Sequence, residues 1–149
     1  MEQLEVNDEN LLVATFHVGG SLLGVSTERI QEIIKIGVIT EVPHAPSHIL
    51  GILNLRGRIV TVIDLGARLS LRPSQRDEQG RIIIIMDDDG ESVGFMVDHI
   101  ADVIQIDPQD LIPPPANMRS VQSDFFDKVY HYHGGLVGLL KVDTILAVD

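Results

Sequence analysis

The sequence predicts a mainly β protein built from two similar subdomains. Three observations carry that expectation. Short runs of apolar and β-branched residues alternate with Gly- and Asp-containing turns. Helical patterns are few and short. One segment recurs further along the chain. With 149 residues and a hydrophobic fraction of 44%, the chain is one ordinary domain by length and has enough apolar material for a core without staples.

In chain order, residues 1–10 are polar and acidic and read as a flexible lead, with the folded domain at 11–149. Leu11 to Val18 reads as a strand, Gly19-Gly20-Ser21 as a turn, and Leu22 to Val25 as the return arm of a hairpin. A short helix is expected next. Ser26 or Thr27 caps it, Glu28 sits in its first turn, and Ile30, Ile33 and Ile34 form its apolar stripe. Glu28 and Glu32 then share its solvent face, and Gly37 ends it. Pro43 and Pro46 bracket a loop. Ile49 to Leu65 holds two β-rich arms around a tight turn at Arg56-Gly57. Arg72 to Gly80 is a polar loop, and Ile82 to Met86 a strand buried on both faces. Asp87 to Gly90 is a turn, with the return strand at Ser92 to Val97. A second helix is expected after Asp98 as cap, with Ile100, Val103 and Ile104 as its stripe. Asp107-Pro108 opens a short turn, and Pro113-Pro114-Pro115 reads as an extended connector. Phe125 to Tyr132 and Leu136 to Val142 form a last strand pair around Gly134-Gly135, and Asp143 caps a short terminal helix.

The recurrence has an offset of 70 residues: Gly24 to Ile36 lies over Gly94 to Ile106. Gly24 and Gly94 align, as do Glu28 with Asp98, Glu32 with Asp102, and the apolar stripes. A strand–helix–strand unit used twice implies two similar β subdomains packed together. The other reading is a coincidence between two amphipathic segments.

Charge and composition exclude several functions. Acids number 22 and Lys plus Arg 11, giving a formal charge of −11. A phosphate backbone repels such a chain, and aromatics at 4% without Trp offer no base-stacking surface. With 0 Cys there are no disulfides, thiolate metal sites or Cys nucleophiles. The first ten residues lack a basic n-region and an apolar h-region, and no apolar run approaches a membrane span, so a cytoplasmic protein is expected.

No catalytic motif is present: there is no G-x-S-x-G, P-loop or G-x-G-x-x-G. No enzyme activity, cofactor or metal is expected. Asp87-Asp88-Asp89-Gly90 lacks the alternating acids and distant Glu of a calcium loop. His131 and His133 would share one side of a strand, but no third ligand lies at useful spacing, and solvated strand residues are the simpler reading. A metal enzyme using that pair and nearby acids is the competing function from another class. His44 and His48 are read as solvated, His17 and His99 as lone structural residues, and Asp64 as a hydrogen-bonded structural acid. Arg56 is a long cation at a turn, either solvated or a polar anchor on a protein surface.

At Ile49 to Leu65 the chain resembles the CheW family of chemotaxis coupling proteins. Gly51-Ile52-Leu53-Asn54-Leu55-Arg56-Gly57 and Val62-Ile63-Asp64-Leu65 match the family's G-x-x-N-L-R-G…V-I-D-L signature. Val93 to Val103 resembles its V-G-x-x-V-D-x-V-x-x-V segment, Ile30-Gln31-Glu32-Ile33 its early V-x-E-I element, and Leu111 to Pro115 its Pro-rich stretch. Thr61 stands where the family often has Pro, and Phe125 to His133 is less family-like.

The resemblance implies two SH3-like five-stranded β-barrel subdomains packed side by side, with short helices. It implies a non-catalytic adaptor that joins the cytoplasmic helical tip of a chemoreceptor to the regulatory domain of a CheA-type histidine kinase. The alternative it leaves open is an adaptor of a non-motility circuit serving pili, development or second-messenger control. Carried over residue by residue, it implies partner-binding roles for Ile30, Glu32, Asn54, Arg56 and Gly57, with Asn54 and Gly57 shaping the turn. Ile30 stays open between core and contact, because its apolar position equally predicts burial. A detached regulatory domain of a kinase is a further alternative. The start at Met1 with a short acidic lead favours a free-standing protein.

Overall fold

A computed structural model describes residues 10–74, 77–114 and 123–147. The expected lead at 1–9 and Pro115 lie outside the described residues. The strands are β1 (Leu11–Val18), β2 (Ser21–Ser26), β3 (Ile30–Lys35), β4 (Ile49–Leu55), β5 (Arg58–Asp64), β6 (Arg81–Met86), β7 (Ser92–Val97), β8 (His99–Ile106), β9 (Phe126–Tyr132) and β10 (Gly135–Leu140). Two short helices, α1 (Leu65–Arg68) and α2 (Val142–Leu146), follow β5 and β10.

The strands form two five-stranded sheets, ordered β8-β1-β2-β10-β9 and β3-β6-β7-β5-β4. Advancing every strand by five places converts one order into the other. The repeat read from the sequence is therefore structural, and it extends to the whole fold. The parallel pairs match as well, β10 with β2 and β5 with β7, while the other pairs are antiparallel. Each sheet rolls up through an isolated bridge. Thr40, beyond β3, exchanges two 2.8 Å hydrogen bonds with Ile52 on β4. Ile112, beyond β8, pairs in the same way with Val129 on β9. The chain crosses between the sheets twice: it leaves the first sheet after β2 to place β3 in the second, and returns after β7 to place β8 in the first.

The largest core lies between the sheets. Phe16, Val18, Leu23 and Val25 of the first meet Ile63, Ile83, Ile85, Phe95 and Val97 of the second. Each sheet also wraps a smaller cluster of its own. These hold Val13, Ile106 and Val137 in the first and Val60, Val62, Ile82, Ile84 and Met96 in the second. Ile82 to Ile85 are all fully buried because alternate residues feed the shared core and the second sheet's own cluster. Gly24 and Gly94 occupy equivalent crowded places. A Cβ on Gly24 would lie 2.6 Å from Val13, and one on Gly94 2.6 Å from Ile82.

Two expected helices are strands. Ile30–Lys35 is β3 and His99–Ile106 is β8, and only a three-residue 3-10 turn, Thr27–Arg29, precedes β3. The cause is an outward apolar residue at one place in each copy. Along β3 the half-buried face is Ile30, Glu32 and Ile34, with Gln31, Ile33 and Lys35 turned outward. Ile33 is 40% exposed and its equivalent Val103 is 60% exposed. Those side chains break strict alternation and imitate helical spacing, while the β-branched content favours the extended chain. Glu28 and Glu32 therefore share no helix face, and Gly37 ends no helix. Asp98 caps no helix either: its carboxylate accepts the Gly19 amide at 2.9 Å. Asp143 lies in the first turn of α2 rather than at its cap, which is Lys141. The Asp107 cap and the Pro108–Asp110 turn stand where expected.

Candidate functional site

At one end of the second sheet, β4 and β5 are joined by the two-residue turn Arg56-Gly57, with Leu55 paired to Arg58 across it. Both turn residues have positive φ, 53° and 87°. This is the mirror-image turn whose twist suits a hairpin, usually filled by Asn-Gly or Asp-Gly. An Arg in the left-handed region costs about 1 kcal/mol relative to Gly. Asn54 locks the turn, its Oδ1 accepting the Gly57 amide at 2.8 Å.

The Arg56 guanidinium donates to the Glu32 carboxylate on β3. Because β3 and β4 are the two outer strands of the second sheet, that pair reaches across the rolled-up seam. Arg56 is 70% exposed and Glu32 32%, so the pair contributes under about 1 kcal/mol to stability. Arg58 donates to Ser92 Oγ and, at 3.4 Å, to Gln31 Oε1, while Ser92 Oγ donates to the same Gln31 oxygen at 2.9 Å. Gln31, Glu32, Leu55, Arg56 and Arg58 line a shallow depression of about 390 Å³. Beside it, Val38 (87% exposed) and Ile59 (61% exposed) border a second depression. The end of the sheet thus sets cations next to exposed apolar side chains.

Four of the five expected site residues, Glu32, Asn54, Arg56 and Gly57, meet at this end. Ile30 does not join them: it is half-buried and packs against the large shared core. Gln31, Arg58 and Ser92 belong to the same network and were not singled out from the sequence. Arg58 carried a legible signal, since it is one of only 11 cations and lies two residues from Arg56.

Other sequence readings meet mixed outcomes. Asp64 is a structural acid: its Oδ1 accepts Ala67 N at 3.2 Å and Ser74 N at 2.9 Å. Asp87 organises its own turn by accepting Asp89 N and Glu91 N at 2.9 and 2.8 Å. His131 and His133 do not share a strand face, because His133 falls in the β9–β10 turn with φ 51°. His17 and His99 are not lone residues: their rings stack at 4.3 Å.

Two rolled five-stranded sheets with a shared core and a charged turn at an open end define a β module suited to work through its surface. The chain belongs to the CheW-like domain family, whose sequence model matches residues 12–149. It is 30% identical over 129 residues to the chemotaxis protein CheW of Treponema pallidum, covering 85% of this chain and 76% of that one. It is also 30% identical over 131 residues to the chemotaxis protein CheW of Bacillus subtilis, covering 88% and 83%. Among solved structures it is similar to the scaffolding protein TtCheW of Thermoanaerobacter tengcongensis, with a TM-score of 0.86, 29% identity, and coverage of 93% of this chain and 89% of that one.

Proposed function

We propose that this chain is a non-catalytic adaptor in chemotaxis signalling that acts in the cytoplasm. It joins the helical tip of a chemoreceptor to the regulatory domain of a CheA-type histidine kinase. The family supports the class of role. The observation that carries the site is Arg56, an exposed cation held at positive φ in a turn that Asn or Gly would fill with less strain. Its ion pair with Glu32 is too exposed to offset that cost by itself. An intermolecular role gives the strain a purpose: an Arg beside apolar rim residues is a recurrent anchor of protein interfaces. In this reading Glu32 orients the guanidinium, Asn54 and Gly57 fix the turn, and Ile30 supports the surface from within.

The test is capture of partners by the intact protein from cytoplasm of its source, with Arg56→Glu alongside and circular dichroism as the folding control. Recovery of a CheA-type kinase that the variant fails to recover supports the reading. Equal recovery by both would remove Arg56 from the interface. The identity of the kinase recovered also separates a motility circuit from the other chemosensory circuits.

A further inference from the structure

The two places where the chain changes sheets are built differently. From β2 to β3 it passes through the turn Thr27–Arg29, and Arg29 pairs with Asp143 at 3.3 Å. From β7 to β8 it passes through the single residue Asp98. That residue is tied to the β1–β2 hairpin twice. Its amide donates to the His17 carbonyl at 2.9 Å, and its Oδ2 accepts the Gly19 amide at 2.9 Å. The next residue, His99, sits directly opposite His17 in the β1–β8 register. Their rings stack with centroids 4.3 Å apart and 26° between planes.

Two neutral imidazoles stack favourably face to face. Two imidazolium ions at that separation repel each other. We propose that the His17–His99 stack is a proton-sensitive clasp on this second crossing, closed while the rings are neutral and loosened when both are protonated. Loosening it frees the first residues of β8 from β1 and releases the Gly19 and Asp98 amides, so the joint between the two sheets gains freedom on that side.

The surroundings fit this role. Burial holds His17 below the usual histidine range, His99 pushes it the same way, and Asp98 opposes both without cancelling them. His17 also lines a depression whose other titratable groups are Asp102 on β8 and Tyr132 and His133 at the β9–β10 turn. Arg72 lies beside the Gly19-Gly20 turn. The sign follows from the depression of His17. The folded chain binds this proton less readily than the unfolded chain, so the stabilisation is complete above about pH 6.5 and is lost as pH falls through and below that value. The other crossing, Thr27–Arg29, contains no histidine.

The test is a pH titration of the intact protein by NMR between pH 8 and 5, following the ring protons of His17 and His99 and the exchange of the Gly19 and Asp98 amides. The His17 midpoint is expected below 6.5. Amide exchange, corrected for its intrinsic pH dependence, should rise at least tenfold below that midpoint. In His99→Phe, which keeps a ring and removes a proton site, those amides should stay protected. His99→Gln serves the same purpose if the Phe variant does not fold. Independent titration of both rings near 6.5 with unchanged exchange would overturn the proposal. So would equal opening in the wild type and the variant.

Discussion

The β4–β5 turn and the β9–β10 turn occupy equivalent places in the two sheets, and their backbones agree closely. Arg56-Gly57 has φ values of 53° and 87°, His133-Gly134 has 51° and 79°. The repeat also places Asp102 of the first sheet where Glu32 stands in the second. The side chains differ in consequence. Arg56 is a permanent cation paired to Glu32, whereas His133 packs its ring 4.1 Å from Tyr132. The duplicated backbone supplies two turns of the same form at two sheet ends, and they differ in the residue placed in each. The helices that follow the two hairpins teach the same lesson. α1 is capped by the buried Asp64, while Lys141 at the equivalent place of α2 makes no side-chain cap.

The largest effect should come from breaking that last contrast. Asp64→Ala removes the cap of α1 and orphans two amide groups, at a cost of about 2–3 kcal/mol. Lys141→Ala should change stability by less than about 0.5 kcal/mol. Denaturant unfolding of both variants checks this, and equal costs would refute the asymmetry.

Next comes the tie between the two halves. Arg68 of α1 donates to the carbonyls of Ile145 at 3.0 Å, Thr144 at 3.3 Å and Ala147 at 2.8 Å, and its guanidinium lies 5.0 Å from the Phe125 ring centroid. Arg68→Ala should cost about 1–2 kcal/mol. It should also speed amide exchange in α2 more than in α1, which exchange measurements will show.

Arg56→Asn sharpens the comparison of the turns. Asn suits positive φ, so stability should hold or rise by up to about 1 kcal/mol while partner binding falls. A loss of both together would mean that Arg56 is structural. The smallest effect belongs to the exposed Arg29–Asp143 pair. Arg29→Ala should cost under about 1 kcal/mol, and the difference from wild type should shrink in high salt.

Much of the fold was legible because strand signals here are local. β1 and β7 fall where the apolar runs place them, at Leu11–Val18 and Ser92–Val97. The repeat exposed the two-part architecture. The misread helices share one cause, the outward Ile33 and Val103, whose exposure no single sequence declares. Both lie on strands that cross to the other sheet, so their burial is decided by a partner distant in the chain. At the site, the Arg56-Gly57 turn was legible because turn chemistry is local, whereas Asn54 was reached only through the family resemblance. Their meeting with Glu32, and the Gln31–Arg58–Ser92 network, depend on closing the second sheet. The His17–His99 stack was missed for a similar reason: it is a register pair between strands 82 residues apart.

The central proposal is that the Arg56 turn contributes to kinase binding. It is tested most directly by calorimetric titration of the intact protein, and of Arg56→Glu, with the isolated regulatory domain of the CheA-type kinase from the same organism. Thermal unfolding of both forms serves as the control. The account predicts at least tenfold weaker binding by the variant, a loss of about 1.4 kcal/mol or more, with an unchanged unfolding temperature. Equal affinity for the two forms would contradict it.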